Sequence, residues 1–137
     1  MAKILVVDDE KHIVRLVEIN LQRAGYEVVT AYDGVEGLEK VRAEKPDLVI
    51  LDIMMPKMDG WEVLRNLSQD PATADLQVVV LSAKAQDADI AKTLSTGQAI
   101  HLTKPFNPRE LLVMVERILA FANDDYLDED REPVYEV

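Results

Sequence analysis

The 137-residue chain predicts an α/β domain built as a doubly wound, five-stranded parallel sheet with helices on both faces. Three observations carry this. Five short apolar runs alternate with stretches whose large apolar residues recur at helical spacing. The central runs, such as Ile4-Leu5-Val6-Val7, Leu48-Val49-Ile50-Leu51 and Val78-Val79-Val80-Leu81, are apolar without interruption, as strands covered on both faces are. Polar residues able to do chemistry stand just where those runs end.

The elements follow in order. Residues 3–7 form the first strand, closed by Asp8-Asp9-Glu10. Ile13, Leu16, Val17 and Leu21 then recur at helical spacing over about 10–24, and Gly25 stops that helix. Tyr26 to Ala31 is the second strand. Asp33-Gly34 opens a helix that uses Val35, Leu38 and Val41 and ends before Pro46. Asp47 to Leu51 is the third strand, with Asp52 at its C-terminal end. The loop from Ile53 to Gly60 is punctuated by Pro56 and Gly60, and Trp61 to Leu67 is a short helix broken by Asp70-Pro71. Leu76 to Leu81 is the fourth strand, capped by Ser82. A weak helix follows over 86–96, with Ile90 and Leu94 its only large apolar residues, and Gly97 ends it. Ala99 to Thr103 is the fifth strand. Asn107-Pro108-Arg109-Glu110 then starts a fifth helix, with Asn as N-cap, Pro in the first position and Glu in the third. That helix buries Leu111, Leu112, Val115, Ile118 and Leu119.

A length of 137 residues suits one core. There is no cysteine, hence no disulfide framework and no thiolate chemistry. No apolar run reaches the roughly 20 residues of a membrane span, and the N-terminal run is too short for a signal peptide, so the expectation is a cytoplasmic protein without membrane contact. The net charge of −11 is uneven. More than half of it lies in residues 122–137, where seven acids (Asp124, Asp125, Asp128, Glu129, Asp130, Glu132, Glu136) face one base, Arg131. That stretch reads as an acidic, disordered tail behind a folded unit of residues 1–121. With no basic stripe, direct DNA binding is not expected.

In a sheet of order 2-1-3-4-5 the ends of strands 1, 3, 4 and 5 share one edge, around the switch point between strands 1 and 3. Asp8, Asp9, Asp52, Ser82 and Lys104 would gather there. Singly, each has a plain reading: Asp8 or Asp9 suits a helix N-cap, Ser82 a turn, Lys104 a solvated surface. Their joint placement is the specific signal. Three carboxylates together would repel one another, and a hard divalent cation such as Mg²⁺ relieves that. A carboxylate nucleophile, a metal, an ammonium and a hydroxyl are the parts needed to accept a phosphoryl group.

The chain resembles the receiver (CheY-like) domains of two-component response regulators over about residues 2–121. The residues that carry the likeness are Val6-Val7-Asp8-Asp9-Glu10, Leu51-Asp52 with Ile53 to Gly60, Leu81-Ser82-Ala83-Lys84, and Leu102-Thr103-Lys104-Pro105-Phe106. The resemblance implies a flavodoxin-like fold and phosphorylation of Asp52 by a phosphohistidine of a sensor histidine kinase or phosphotransfer protein. It implies Mg²⁺ held by Asp8, Asp9, Asp52 and the backbone carbonyl of Met54, with Ser82 and Lys104 contacting the phosphoryl group. It further implies a cis peptide at Lys104-Pro105. A downstream protein would be met through the fourth helix, fifth strand and fifth helix. The chain would act as a phosphorylation-controlled switch, not as an enzyme on a separate substrate.

Two features depart from the common pattern. His101 stands where relatives usually place an aromatic switch residue, so Ser82 and His101 are the expected switch pair, the ring turning inward on phosphorylation. Nothing after residue 121 resembles an output domain. Two other readings fit the same topology. A phosphatase of the haloacid dehalogenase type would want a second Asp two residues after the first, where this chain has Glu10. A flavin mononucleotide carrier would want hydroxyls and amides after strand 1, where Asp8-Asp9-Glu10 would repel a phosphate.

Overall fold

The computed structural model describes residues 1–55, 58–83 and 99–122. Its elements are β1 (Lys3–Val7), α1 (Lys11–Arg23), β2 (Glu27–Ala31), α2 (Gly34–Glu44), β3 (Leu48–Asp52), α3 (Gly60–Gln69), β4 (Gln77–Ser82), β5 (Ala99–Thr103) and α4 (Pro108–Ala122). The sequence-predicted helix over 86–96 lies outside the described residues, as does the acidic tail from residue 123 onward, so α4 is the fifth helix of the sequence reading.

All five strands are parallel and run in the order β2-β1-β3-β4-β5. Residues alternate between the two faces along each strand. Leu5, Val7, Val49, Leu51, Val78 and Val80 pack with Leu38 and Val41 of α2 and Val63, Leu64 and Leu67 of α3. Ile4, Val6, Leu48, Ile50, Val79 and Leu81 pack with Val14, Val17 and Leu21 of α1 and Leu111, Val115, Ile118 and Leu119 of α4. The uninterrupted apolar runs are therefore two interleaved core faces.

Helix ends follow the local chemistry. The Asp33 and Asp59 carboxylates accept from the amides of Glu36 and Glu62, and the Asn107 side chain accepts from the amide of Arg109. Gly25, with φ of +98°, takes the chain out of α1. Two helix faces differ from the sequence expectation. Leu16 and Val35 are exposed; Val14 takes the inward place on α1, and on α2 Gly37 lies against the Val7 side chain. A 3.6-residue period leaves a neighbouring stripe available, and contact with the sheet selects between them.

Candidate functional site

β1 and β3 are neighbours, and the connections leaving them depart toward opposite sides of the sheet. Asp8 follows β1 and Asp52 ends β3, so both carboxylates reach the crevice between those connections. Both are buried, with Asp8 fully inaccessible and Asp52 3% exposed. Asp8 Oδ1 accepts from the amide of Glu10, and Asp52 Oδ1 from the amide of Met54 at 3.4 Å. Lys104, just beyond β5, returns to the same place. Its amide donates to the carbonyl of Ser82 at 2.7 Å, and its Nζ lies 3.1 Å from Asp8 Oδ2, 3.4 Å from Asp52 Oδ1 and 3.4 Å from Glu10 Oε1. The Lys104-Pro105 peptide is cis, as expected.

Burial is the main cause pushing the Asp52 carboxyl up to about 7, and the negative charge of Asp8 adds to it. Lys104 and the Met54 amide pull the other way without cancelling that rise. For Lys104, burial alone would lower the ammonium, but the charges of Asp52 and Asp8 outweigh it and hold its pKa raised. At neutral pH the ammonium is thus firmly charged, while Asp52 is balanced between acid and carboxylate.

Oxygens of Asp8, Glu10 and Asp52 lie within 4.8 Å of one another, close enough for one ion to bridge. Three oxygen donors, two of them buried, suit a hard divalent cation. Asp9, expected in this group from the sequence, is exposed and stands outside it, whereas Glu10 stands inside. Glu10, the N-cap residue of α1, keeps an extended backbone and stands two residues from Asp8. The run Asp8-Asp9-Glu10 contained that signal but not the choice.

Ser82 and His101 meet at one place. In the β4–β5 register Val80 faces His101 and Ser82 faces Thr103, which makes His101 the diagonal neighbour of Ser82 on one face of the sheet. His101 is half-buried, with Nε2 2.7 Å from Ser82 Oγ. Gly60 closes the site from below, its amide donating to the carbonyl of Ile53. A Cβ there would lie 2.5 Å from the Asp52 carbonyl oxygen. Close backbone approach, not a turn conformation, is what requires glycine at this position.

A family model described as the response regulator receiver domain matches residues 4–116. The chain belongs to the response regulator receiver family. It is 48% identical over 117 residues to the alkaline phosphatase synthesis transcriptional regulatory protein PhoP of Bacillus subtilis, covering 85% of this chain and 48% of that protein. It is 42% identical over 119 residues to the DNA-binding dual master transcriptional regulator RpaA of Synechocystis, covering 87% and 49%. Among solved structures, the chemotaxis response regulator CheY4 of Vibrio cholerae superposes with a TM-score of 0.78 at 34% identity, covering 86% of this chain and 98% of that one. The chain spans about half the length of the curated relatives it matches.

These relatives correct one expectation. Direct DNA binding was not expected, on the ground that the chain has no basic stripe. Yet the receiver's relatives are transcriptional regulators, one of them named as DNA-binding. A charge argument speaks only for the residues it counts, so it does not remove DNA from the setting in which such a receiver works. Among the described residues no helix is long and apolar enough to cross a membrane.

Proposed function

We propose that this receiver accepts a phosphoryl group on Asp52 and acts as the phosphorylation-controlled switch of a two-component system. The observation that carries the reading is the contact at 3.4 Å between a buried strand-end carboxylate and the Lys104 ammonium, beside a second buried carboxylate. A carboxylate oxygen of Asp52 attacks phosphorus, and the P–N bond of a donor phosphohistidine breaks. The electron pair of that bond returns to the imidazole, leaving an acyl phosphate on Asp52. Lys104 is positioned to balance charge on a phosphoryl oxygen, and Ser82 to donate its hydroxyl to another. The receiver therefore modifies itself and turns over no separate substrate.

The donor set fits Mg²⁺. Asp8, Asp9 and Asp52, with the backbone carbonyl of Met54, would hold it, and Glu10 joins them at the mouth of the site. When bound, the ion supplies positive charge that favours the Asp52 carboxylate and offsets the charge of an incoming phosphoryl group. In this reading residues 1–121 are the receiver unit, working in the cytoplasm.

The test is labelling with a small phosphodonor. The parent protein should gain one acid-labile, base-labile phosphate in Mg²⁺ and none in chelator, and Asp52→Asn should gain none while staying folded. A label retained by Asp52→Asn would move the acceptor elsewhere.

A further inference from the structure

Away from the carboxylates, a groove of about 580 Å³ runs between α4 and the edge strand β5. Its floor is apolar: Ile100 of β5, with Val113, Met114 and Ile118 of α4. Ile100 and Val113 are exposed, although they are among the larger aliphatic side chains of the domain. Arg109 and Arg117 stand at its two ends. Among the described residues neither guanidinium has a carboxylate within ion-pair distance, Glu110 beside Arg109 included. The groove is therefore an apolar strip between two cations that the folded unit leaves unpaired.

The chain continues past α4 with a segment of complementary pattern. Asp124-Asp125, Tyr126-Leu127 and Asp128-Glu129-Asp130 set acids on both sides of an apolar pair. The spacing matches as well. Arg109 and Arg117 are eight residues apart on one helix, about 12 Å along its axis at 1.5 Å per residue. An extended chain covers that distance in about four residues, and alternate side chains share a face. Asp125, Leu127 and Glu129 thus lie on one side of an extended segment, with the two acids about 13 Å apart. Laid back antiparallel to α4, Asp125 meets Arg117, Leu127 meets Val113 and Met114, and Glu129 meets Arg109. Each contact is weak alone. A short tether supplies an effective concentration of about millimolar, so a weak contact is enough to fill the groove.

We propose that residues 124–130 dock in cis into the groove between α4 and β5, with Leu127 on its apolar floor and Asp125 and Glu129 paired to Arg117 and Arg109. This gives the acidic tail a partner within its own chain, where the sequence reading expected disorder. It also places the tail on the β5 and last-helix surface expected to meet a downstream protein, so tail and partner compete for it. The proposal stands apart from the phosphoryl site and does not depend on Asp52.

The experiment is NMR of the full chain with labelled methyl groups. Nuclear Overhauser contacts should join the Leu127 methyls to those of Val113 or Met114, with intensities that do not change on dilution. Reversing both cations, Arg109→Glu with Arg117→Glu, should weaken those contacts by about threefold or more, because each pairing becomes a repulsion. Adding Asp125→Arg with Glu129→Arg to that variant should restore them. Thermal melts identify a variant that fails to fold, and the measurement on the parent stands without the variants. A parent lacking the Leu127 contacts overturns the proposal, as does a folded double reversal that keeps them at full intensity or a folded fourfold variant that does not regain them. Contacts found only between differently labelled copies in a mixed sample also overturn it, because they assign the groove to the tail of a second copy.

Discussion

Asp52 bears a cost that its surroundings only partly relieve. A carboxylate ending a strand in a polar crevice would ordinarily titrate near 4. Here burial and the Asp8 charge take it to about 7. The folded state therefore binds more protons than the unfolded chain between those values, and stability falls as pH rises from about 4 through 7. Asp52→Asn removes that loss. In metal-free buffer its melting temperature should exceed the parent's at pH 8, by on the order of 5 °C or more, and the gap should shrink toward pH 4. Melting curves of both proteins across that range check it, and a gap independent of pH would show that Asp52 titrates as an ordinary carboxylate. Lys104 carries the complementary prediction. Its ammonium lies within 3.4 Å of three carboxylates, so Lys104→Ala leaves a more negative cluster. Mg²⁺ should bind that variant at least as tightly as the parent, as read by titration of Trp61 fluorescence, while labelling by a phosphodonor should slow by about tenfold or more.

At the scale of the element, the connection from β3 to α3 is held by backbone contact. Gly60 opens α3 directly beneath the end of β3, with no room for a Cβ beside the Asp52 carbonyl. Gly34 opens α2 against the carbonyl and side chain of Met58, in the same connection. Two helix starts thus press on one loop from two sides, and the loop carries Met54, whose amide binds Asp52. Gly60→Ala must displace backbone, not a side-chain tip, and should destabilise by about 1–3 kcal/mol. Because the displaced backbone belongs to the site, Mg²⁺ affinity should fall as well. Chemical denaturation and metal titration of the one variant separate the two effects. Unchanged metal binding in a destabilised Gly60→Ala would mean that the loop relaxes away from the site.

For the whole molecule, the site lies where the chain reverses its winding. β1 passes to α1 and β3 to α3 on opposite faces, and each face has its own buried core. A ligand binding at the ends of β1 and β3 therefore touches elements from both cores, so its binding energy is coupled to the fold as a whole. Mg²⁺ at about a hundred times its Kd should stabilise the parent by about 2.7 kcal/mol by mass action. Chelator should abolish this, and Asp52→Asn should reduce it. Denaturant unfolding with and without the ion measures it, and no stabilisation at saturating Mg²⁺ would contradict a metal site at this edge.

How much of this was legible in the sequence follows from range. β1, β3 and β4 were readable because each carries a contiguous apolar run, and the starts of α2 and α4 because Asp33 and Asn107 cap within three residues of themselves. Asp8, Asp52, Ser82 and Lys104 were readable as a group because each stands at the end of a strand, or just past it, and parallel strands bring such ends to one edge. The tertiary structure alone decided the rest. Leu16 and Val35 point outward because the sheet, not the helical period, chooses between adjacent stripes. Glu10, at the N-cap of α1, comes within reach of Asp8 and Asp52. The bond between Ser82 and His101 depends on how β4 and β5 align across 19 residues of chain. The raised Asp52 carboxyl depends on water excluded by both cores. Local chemistry is written in neighbouring residues; register, burial and long-range charge exist only once distant segments have packed.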